Sequence, residues 1–116
     1  MQQITFYQRF EADILSGKKT ITIRDDSARH YVPGTVVQVH TYEDGREFAH
    51  LKILSVELIL YSQLNNTHAQ QENMSLAELK KTIQEIYPNT QQLYVISFSL
   101  VYRLKPSSKL SSDIRD

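Results

Sequence analysis

Apolar positions recur with a helical period near the start of the chain. Phe6, Phe10 and Ile14 are four residues apart, which predicts an amphipathic helix over residues 6–16. Gly17 follows directly, and glycine readily adopts the left-handed conformation that ends many helices. The pattern therefore predicts one helix that ends at Gly17.

A second helical pattern, in the second half of the chain, carries its own start and stop signals. Ser75 is followed three residues later by Glu78, as in a capping box, and Pro88 limits the helix at its C-terminal end. One face is apolar and consists of Leu76, Leu79, Ile83 and Ile86. The polar stretch 62–73 has weak helical character and predicts a short helix or an irregular connection.

Strand patterns occupy most of the remaining chain. Residues 17–24 read GKKTITIR and begin one strand, and TVVQVHTYE at 35–43 predicts a second. A hairpin connection at 43–45 leads into a third strand over about 47–60. The β-rich run LYVISFSLVY at 93–102 suits a buried strand.

Together these elements predict one α+β domain built on a small curved sheet or barrel. A chain of 116 residues with 41% hydrophobic residues is large enough for one core and too small for two. We assign residues 1–102 to this domain. Residues 103–116 have the polar composition of a disordered tail.

Composition narrows the classes of function. The 13 basic and 13 acidic residues give a formal net charge of zero, without the basic excess usual in proteins that bind nucleic acid through its phosphates. The absence of cysteine excludes thiol nucleophiles and thiolate metal sites. Without a signal peptide or an apolar run of roughly 20 residues, we expect a cytoplasmic protein with no membrane association. The four scattered histidines lack the spacing of a metal site.

The segment GKKTITIR concentrates amine and hydroxyl side chains at the start of a strand. An amine that accepts the proton of a threonine hydroxyl makes it a nucleophile. In a regular strand Thr22 and Arg24 share one face and Lys19 points to the other. Lys19 would therefore have to approach Thr22 from the turn after Gly17 or from a twisted strand entrance. The alternative is that Lys18 and Lys19 are solvated charges and that Thr22 serves only β-propensity.

A resemblance bears on this choice. Gly17, Lys19 and Arg24 form the pattern GxKxxxxR, which resembles the signature of the ASCH domain, a PUA-like β-barrel family associated with RNA and modified nucleosides. Thr22 replaces an acidic residue that is common in the family, a departure that is characteristic of one subfamily. With ITFYQRFEADILSGKKTITIRD, HAQQENMSLAELKKTIQEIYP and LYVISF, the chain closely resembles the small bacterial N4-acetylcytidine amidohydrolases of the YqfB type. The similarity covers residues 4–98.

The resemblance implies three catalytic residues, and no metal or cofactor. Thr22 would attack the acetyl carbonyl, Lys19 would remove its proton, and Glu72 would protonate the departing amine and then activate water. Lys19 would need a depressed pKa, through burial or a cation such as Lys18 or Arg24. Arg24 would bind the substrate through the pyrimidine carbonyl or the acyl oxygen, or else form a structural salt bridge.

Alternatives remain open for three residues. Glu72 could instead be an exposed charge just before a helix, stabilised there by the helix dipole, whereas an acid role requires partial burial. Tyr7 and Phe6 could stack on the base, although Phe6 fits the apolar helix face and is expected in the core.

Two classes of function remain. The favoured one is an amidohydrolase acting on a small-molecule nucleoside or base, and the other is a non-catalytic ASCH module that binds RNA or modified nucleosides. The neutral net charge favours the small ligand, because each phosphate contact normally requires a lysine or arginine. We expect a monomer with no stable nucleic-acid partner.

Overall fold

The computed structural model describes residues 2–104, in which five strands form one mixed sheet. The strands are β1 (Gln3–Phe6), β2 (Ile21–Arg24), β3 (Val36–Thr41), β4 (Glu47–Leu60) and β5 (Gln92–Arg103). Their order in the sheet is β1-β3-β4-β5-β2, with β1 parallel to β3 and every other neighbouring pair antiparallel. Each of the four predicted strands is present close to its predicted bounds.

Within residues 2–104, three α-helices complete the α+β fold, which confirms the predicted class. They are α1 (Glu11–Ser16), α2 (Asn66–Gln71) and α3 (Leu76–Ile86). The predicted capping box of α3 is formed, since the Glu78 N–H donates to Ser75 Oγ at 3.1 Å and the Ser75 N–H donates to Glu78 Oε1 at 3.0 Å. The polar stretch contains the short helix α2, which begins with a second capping box at Asn65.

The predicted helix over residues 6–16 is only partly right. Phe6 is the last residue of β1, a short 3₁₀ turn follows, and α1 begins only at Glu11. Exposed and buried residues alternate along β1, and its backbone pairs with β3, so these residues form an edge strand of the sheet and not the start of a helix. Ile4, Phe6 and Ile14 are all buried. The four-residue spacing therefore marked core positions from two different elements.

The sheet is not closed into the expected barrel within residues 2–104. Its hydrogen-bonded order begins at β1 and ends at β2, and these two edge strands have only four residues each. A side chain spans part of the gap, since Arg24 Nη2 on β2 donates to the Thr5 carbonyl oxygen on β1 at 2.5 Å. A cavity opens beside this contact.

Two apolar clusters pack against the sheet. The larger one joins α1 to β1, β3, β4 and β5. The smaller one holds α2 and α3 against β2 and β5, and consists of Ile21, Ile23, Leu64, Ala69, Leu79, Ile83, Leu93 and Val95. Since this cluster fixes both helices relative to β2, it also fixes the walls of the cavity.

The predicted tail begins at residue 103, but Arg103 is the last residue of β5, and residues 105–116 lie outside the described part of the chain. No helix in residues 2–104 is long and apolar enough to cross a lipid bilayer.

Candidate active site

A cavity of about 230 Å³ lies between the edge strands β1 and β2 and runs along α3. Its wall combines apolar side chains, among them Phe6 and Ile83, with a small number of polar and charged groups. This combination is typical of sites for small organic ligands. The four predicted site residues all line it, namely Lys19, Thr22, Arg24 and Glu72.

Lys19 lies in the turn between α1 and β2. Gly17 has a φ of +80°, the left-handed conformation predicted for it, and the backbone N–H of Lys19 donates to the Asp13 carbonyl at 3.0 Å. Because Lys19 precedes the strand, strand alternation does not set the direction of its side chain. The Thr20 N–H then donates to the Gln71 carbonyl at 2.8 Å, which brings this turn against the end of α2.

Glu72 caps the C-terminal end of α2. Its N–H donates to the His68 carbonyl at 3.0 Å, and the next residue, Asn73, has a φ of +58°. A left-handed residue after a helix turns the chain sharply. Glu72 is 5% exposed and α3 begins only at Leu76, so the alternative of an exposed charge leading into that helix is wrong.

Lys19 and Glu72 form a buried ion pair. Lys19 Nζ donates to Glu72 Oε1 and also to the Ile21 carbonyl at 2.9 Å, and Lys19 is only 3% exposed. Burial lowers the pKa of Lys19, and the positive charge of Arg24 lowers it further, against the opposing effect of Glu72. The net direction is downward, as a lysine base requires. Of the two cations considered from the sequence, Arg24 contributes to this shift.

Thr22 and Arg24 lie on one face of β2, as strand alternation predicted. Arg24 Nε donates to Thr22 Oγ1 at 3.1 Å, and the Arg24 Cζ atom lies 4.8 Å from the centre of the Phe6 ring. With Nη2 bound to the Thr5 carbonyl, the guanidinium is held on two sides. Arg24 forms no ion pair within residues 2–104, so the salt-bridge alternative has no support there.

The hydrogen bonds divide the four residues into two pairs. Lys19 contacts Glu72, and Thr22 contacts Arg24, while no hydrogen bond joins Lys19 to Thr22 among the described residues. Arg24 is electrostatically coupled to Lys19, and both cations lie over the Phe6 ring, with Lys19 Nζ at 5.6 Å from its centre. The cavity therefore contains an amine, a carboxyl, a hydroxyl and a guanidinium close to one aromatic ring.

Tyrosines also line the cavity, and sequence reasoning identified only one of them. Tyr7 is 37% exposed, Tyr42 is 66% exposed, and their ring centres are 5.1 Å apart in an edge-to-face arrangement. Tyr87, at the end of α3, is partly buried, and burial raises its pKa. Tyr42 follows the alternating strand β3 on its exposed face. An aromatic residue on the polar face of a strand is the signal that could have identified it.

The comparisons with known proteins agree with this fold. The family model described as ASCH domain matches residues 2–102. The chain belongs to the ASCH domain family. A solved ASCH domain from Lactobacillus crispatus aligns with a TM-score of 0.72 at 18% identity, over 88% of this chain and 81% of that one. The ASCH fold is therefore found in both.

Curated relatives of this ASCH domain are much more similar in sequence. A Vibrio vulnificus protein named N(4)-acetylcytidine amidohydrolase is 64% identical over 99 residues, which span 85% of this chain and 95% of that protein. A protein of the same name from Edwardsiella ictaluri is 56% identical over 101 residues, 87% of this chain and 94% of that protein.

Proposed function

We propose that this ASCH domain is an amidohydrolase that cleaves the acetyl amide of N4-acetylcytidine, with cytidine and acetate as products. The names of relatives that share more than half of the aligned residues support this substrate. The observation that carries the proposal is the buried pair of Lys19 and Glu72 in one cavity with the hydroxyl of Thr22. An amide hydrolase without a bound metal needs a nucleophile, a base and an acid, and these side chains supply all three.

The Lys19–Glu72 contact supplies the base and the acid together. One proton shared along this hydrogen bond is enough, because moving it from Lys19 Nζ to the Glu72 carboxyl leaves a neutral amine beside a carboxylic acid. Burial makes this uncharged form easier to reach from the resting ion pair, since charges are poorly stabilised away from water. The lowered pKa of Lys19 also favours the neutral amine.

In the first half of the reaction, neutral Lys19 takes the proton of the Thr22 hydroxyl. Thr22 Oγ1 then forms a bond to the acetyl carbonyl carbon, and negative charge develops on the acyl oxygen. Arg24 already donates to Thr22 Oγ1 and holds it in position. Its remaining N–H groups are available to the acyl oxygen.

The intermediate then breaks its bond to N4 of cytosine. Glu72 gives its proton to N4, so that cytidine leaves as a neutral amine and Thr22 carries the acetyl group as an ester. Glu72, now a carboxylate, takes a proton from a water molecule whose oxygen attacks the ester. Acetic acid leaves and releases its proton to the solvent as acetate forms, and the proton held by Lys19 returns to Thr22 Oγ1.

The test is to incubate the purified full chain with N4-acetylcytidine and to measure the cytidine released by chromatography. Thr22→Ala should abolish turnover, Thr22→Ser should retain measurable activity, and all variants should stay folded. Thr20→Ala is the matched control, because Thr20 is a neighbouring threonine that does not line the cavity. An inactive wild type at high enzyme concentration would refute the proposal. An active Thr22→Ala variant would instead show that water attacks directly.

A further inference from the structure

Two exposed tyrosines in the cavity wall, Tyr7 and Tyr42, contact each other. The Tyr42 N–H donates to the Phe6 carbonyl at 2.8 Å, which extends the contact between β1 and β3 by one residue. Tyr7 directly follows Phe6, and its ring packs against that of Tyr42 at an interplanar angle of 60°. The backbones of the two tyrosines are therefore held close together and their rings contact each other, although both rings remain accessible to water.

The position of this pair follows from the position of the reacting groups. The Phe6 ring lies close to Lys19 and Arg24, and the tyrosine pair is joined to Phe6 by the chain at Tyr7 and by the backbone hydrogen bond of Tyr42. An acetyl group on N4 is conjugated with the pyrimidine ring, so the amide and the ring are close to coplanar. If the acetyl carbonyl is placed at buried Thr22, the planar ring lies in the remaining part of the same cavity, whose wall includes the exposed Tyr42.

We propose that the Tyr42 ring stacks on the pyrimidine ring of the substrate and that Tyr7 holds Tyr42 in this position; this inference rests on the proposed function. Stacking on an aromatic face is favourable for any planar base and needs no matching donor or acceptor. A ring fixed before binding loses little conformational entropy when the substrate arrives. Tyr42 is thus a specificity residue that selects acyl amides whose amine belongs to a planar heteroaromatic ring.

The kinetic test compares Tyr42→Ala and Tyr42→Phe with wild type on N4-acetylcytidine. Stacking stabilises the bound substrate and the transition state alike, so Tyr42→Ala should raise KM about fivefold or more and leave kcat within about twofold. Tyr42→Phe retains the ring and should behave like wild type. Tyr102→Ala is the matched control, because Tyr102 is 51% exposed and lies outside the cavity.

Three kinetic results would overturn the inference. An unchanged KM in Tyr42→Ala would show that the ring does not touch the substrate. Equal losses in Tyr42→Phe and Tyr42→Ala would assign the effect to the hydroxyl group. A fall in kcat alone would indicate a contact made only in the transition state.

Calorimetric titration with cytidine separates this inference from the proposed function. If wild type does not hydrolyse N4-acetylcytidine, the proposed function fails, yet cytidine binding still tests the stacking. Weaker binding by Tyr42→Ala than by wild type and Tyr102→Ala would support the role of Tyr42. Equal binding by all three proteins, or no binding by any of them, would overturn it.

Discussion

Replacing Glu72 by glutamine should destabilise the protein far more than removing a surface charge. The substitution keeps the shape of the side chain but leaves Lys19, which is 3% exposed, without an opposite charge. Breaking a buried ion pair in this way costs about 3–5 kcal/mol, and the amide oxygen that still accepts a hydrogen bond favours the lower end. For a domain of this size the loss corresponds to a fall in Tm on the order of 15 °C.

The loss should shrink as the pH rises. Burial lowers the pKa of Lys19 in wild type, and Glu72 opposes that shift. Without the carboxylate the pKa of Lys19 falls further below its unfolded value of about 10.4, so the folded variant releases this proton at lower pH than wild type. Between the folded and the unfolded pKa the unfolded state binds more protons, and stability rises with pH. Because the folded pKa of Lys19 is lower in the variant, this rise in stability begins at a lower pH than in wild type. The difference in unfolding free energy between the two proteins therefore becomes smaller as the pH rises.

Urea unfolding, monitored by far-UV circular dichroism, measures both effects. Tryptophan fluorescence cannot be used, because the chain has no tryptophan. Wild type and Glu72→Gln would be compared at about pH 6, 7.5 and 9, all below the ordinary lysine pKa of about 10.4. Glu11→Gln is the matched control, because Glu11 pairs with Arg46 at 2.5 Å on the surface and such a pair contributes about 0.2–1 kcal/mol. A loss in Glu72→Gln no larger than in Glu11→Gln, or one that does not decrease with pH, would refute the reasoning.

Two further predictions concern the cavity. Lys19→Arg keeps the charge but cannot release its proton, so it should bind cytidine and lose roughly 10²-fold or more in turnover; substantial activity would make Lys19 a fixed charge. Asn73→Ala removes the short polar side chain that lets asparagine tolerate the left-handed region, here a φ of +58°. It should cost about 1 kcal/mol and lower kcat by shifting Glu72, whereas Asn73→Gly should keep both. Asn89→Ala, at a φ of +63°, is the control, since it should lose similar stability without losing activity.

The sequence alone determined the features that neighbouring residues set. The start of α3 depends on hydrogen bonds between Ser75 and Glu78, three residues apart, and the end of α1 depends on Gly17. The strand-like run at 35–43 and the hairpin signal at 43–45 located β3 and the start of β4. Such features need no distant partner, which is why local patterns predicted them. The same patterns left Lys19 and Thr22 undecided between a reactive and a structural role, and only a family resemblance favoured the reactive one.

The tertiary structure decided what depends on residues far apart in the chain. Gln3–Phe6 is a strand because β3, more than thirty residues later, offers an unpaired edge, and this pairing overrode the helical spacing. Lys19 meets Glu72 across 53 residues because the turn after α1 bonds to the end of α2. Tyr42 joins Tyr7 only where β1 and β3 end side by side. No local pattern encodes these contacts, since their energies come from burial and hydrogen bonds that exist only after the chain has closed its long loops.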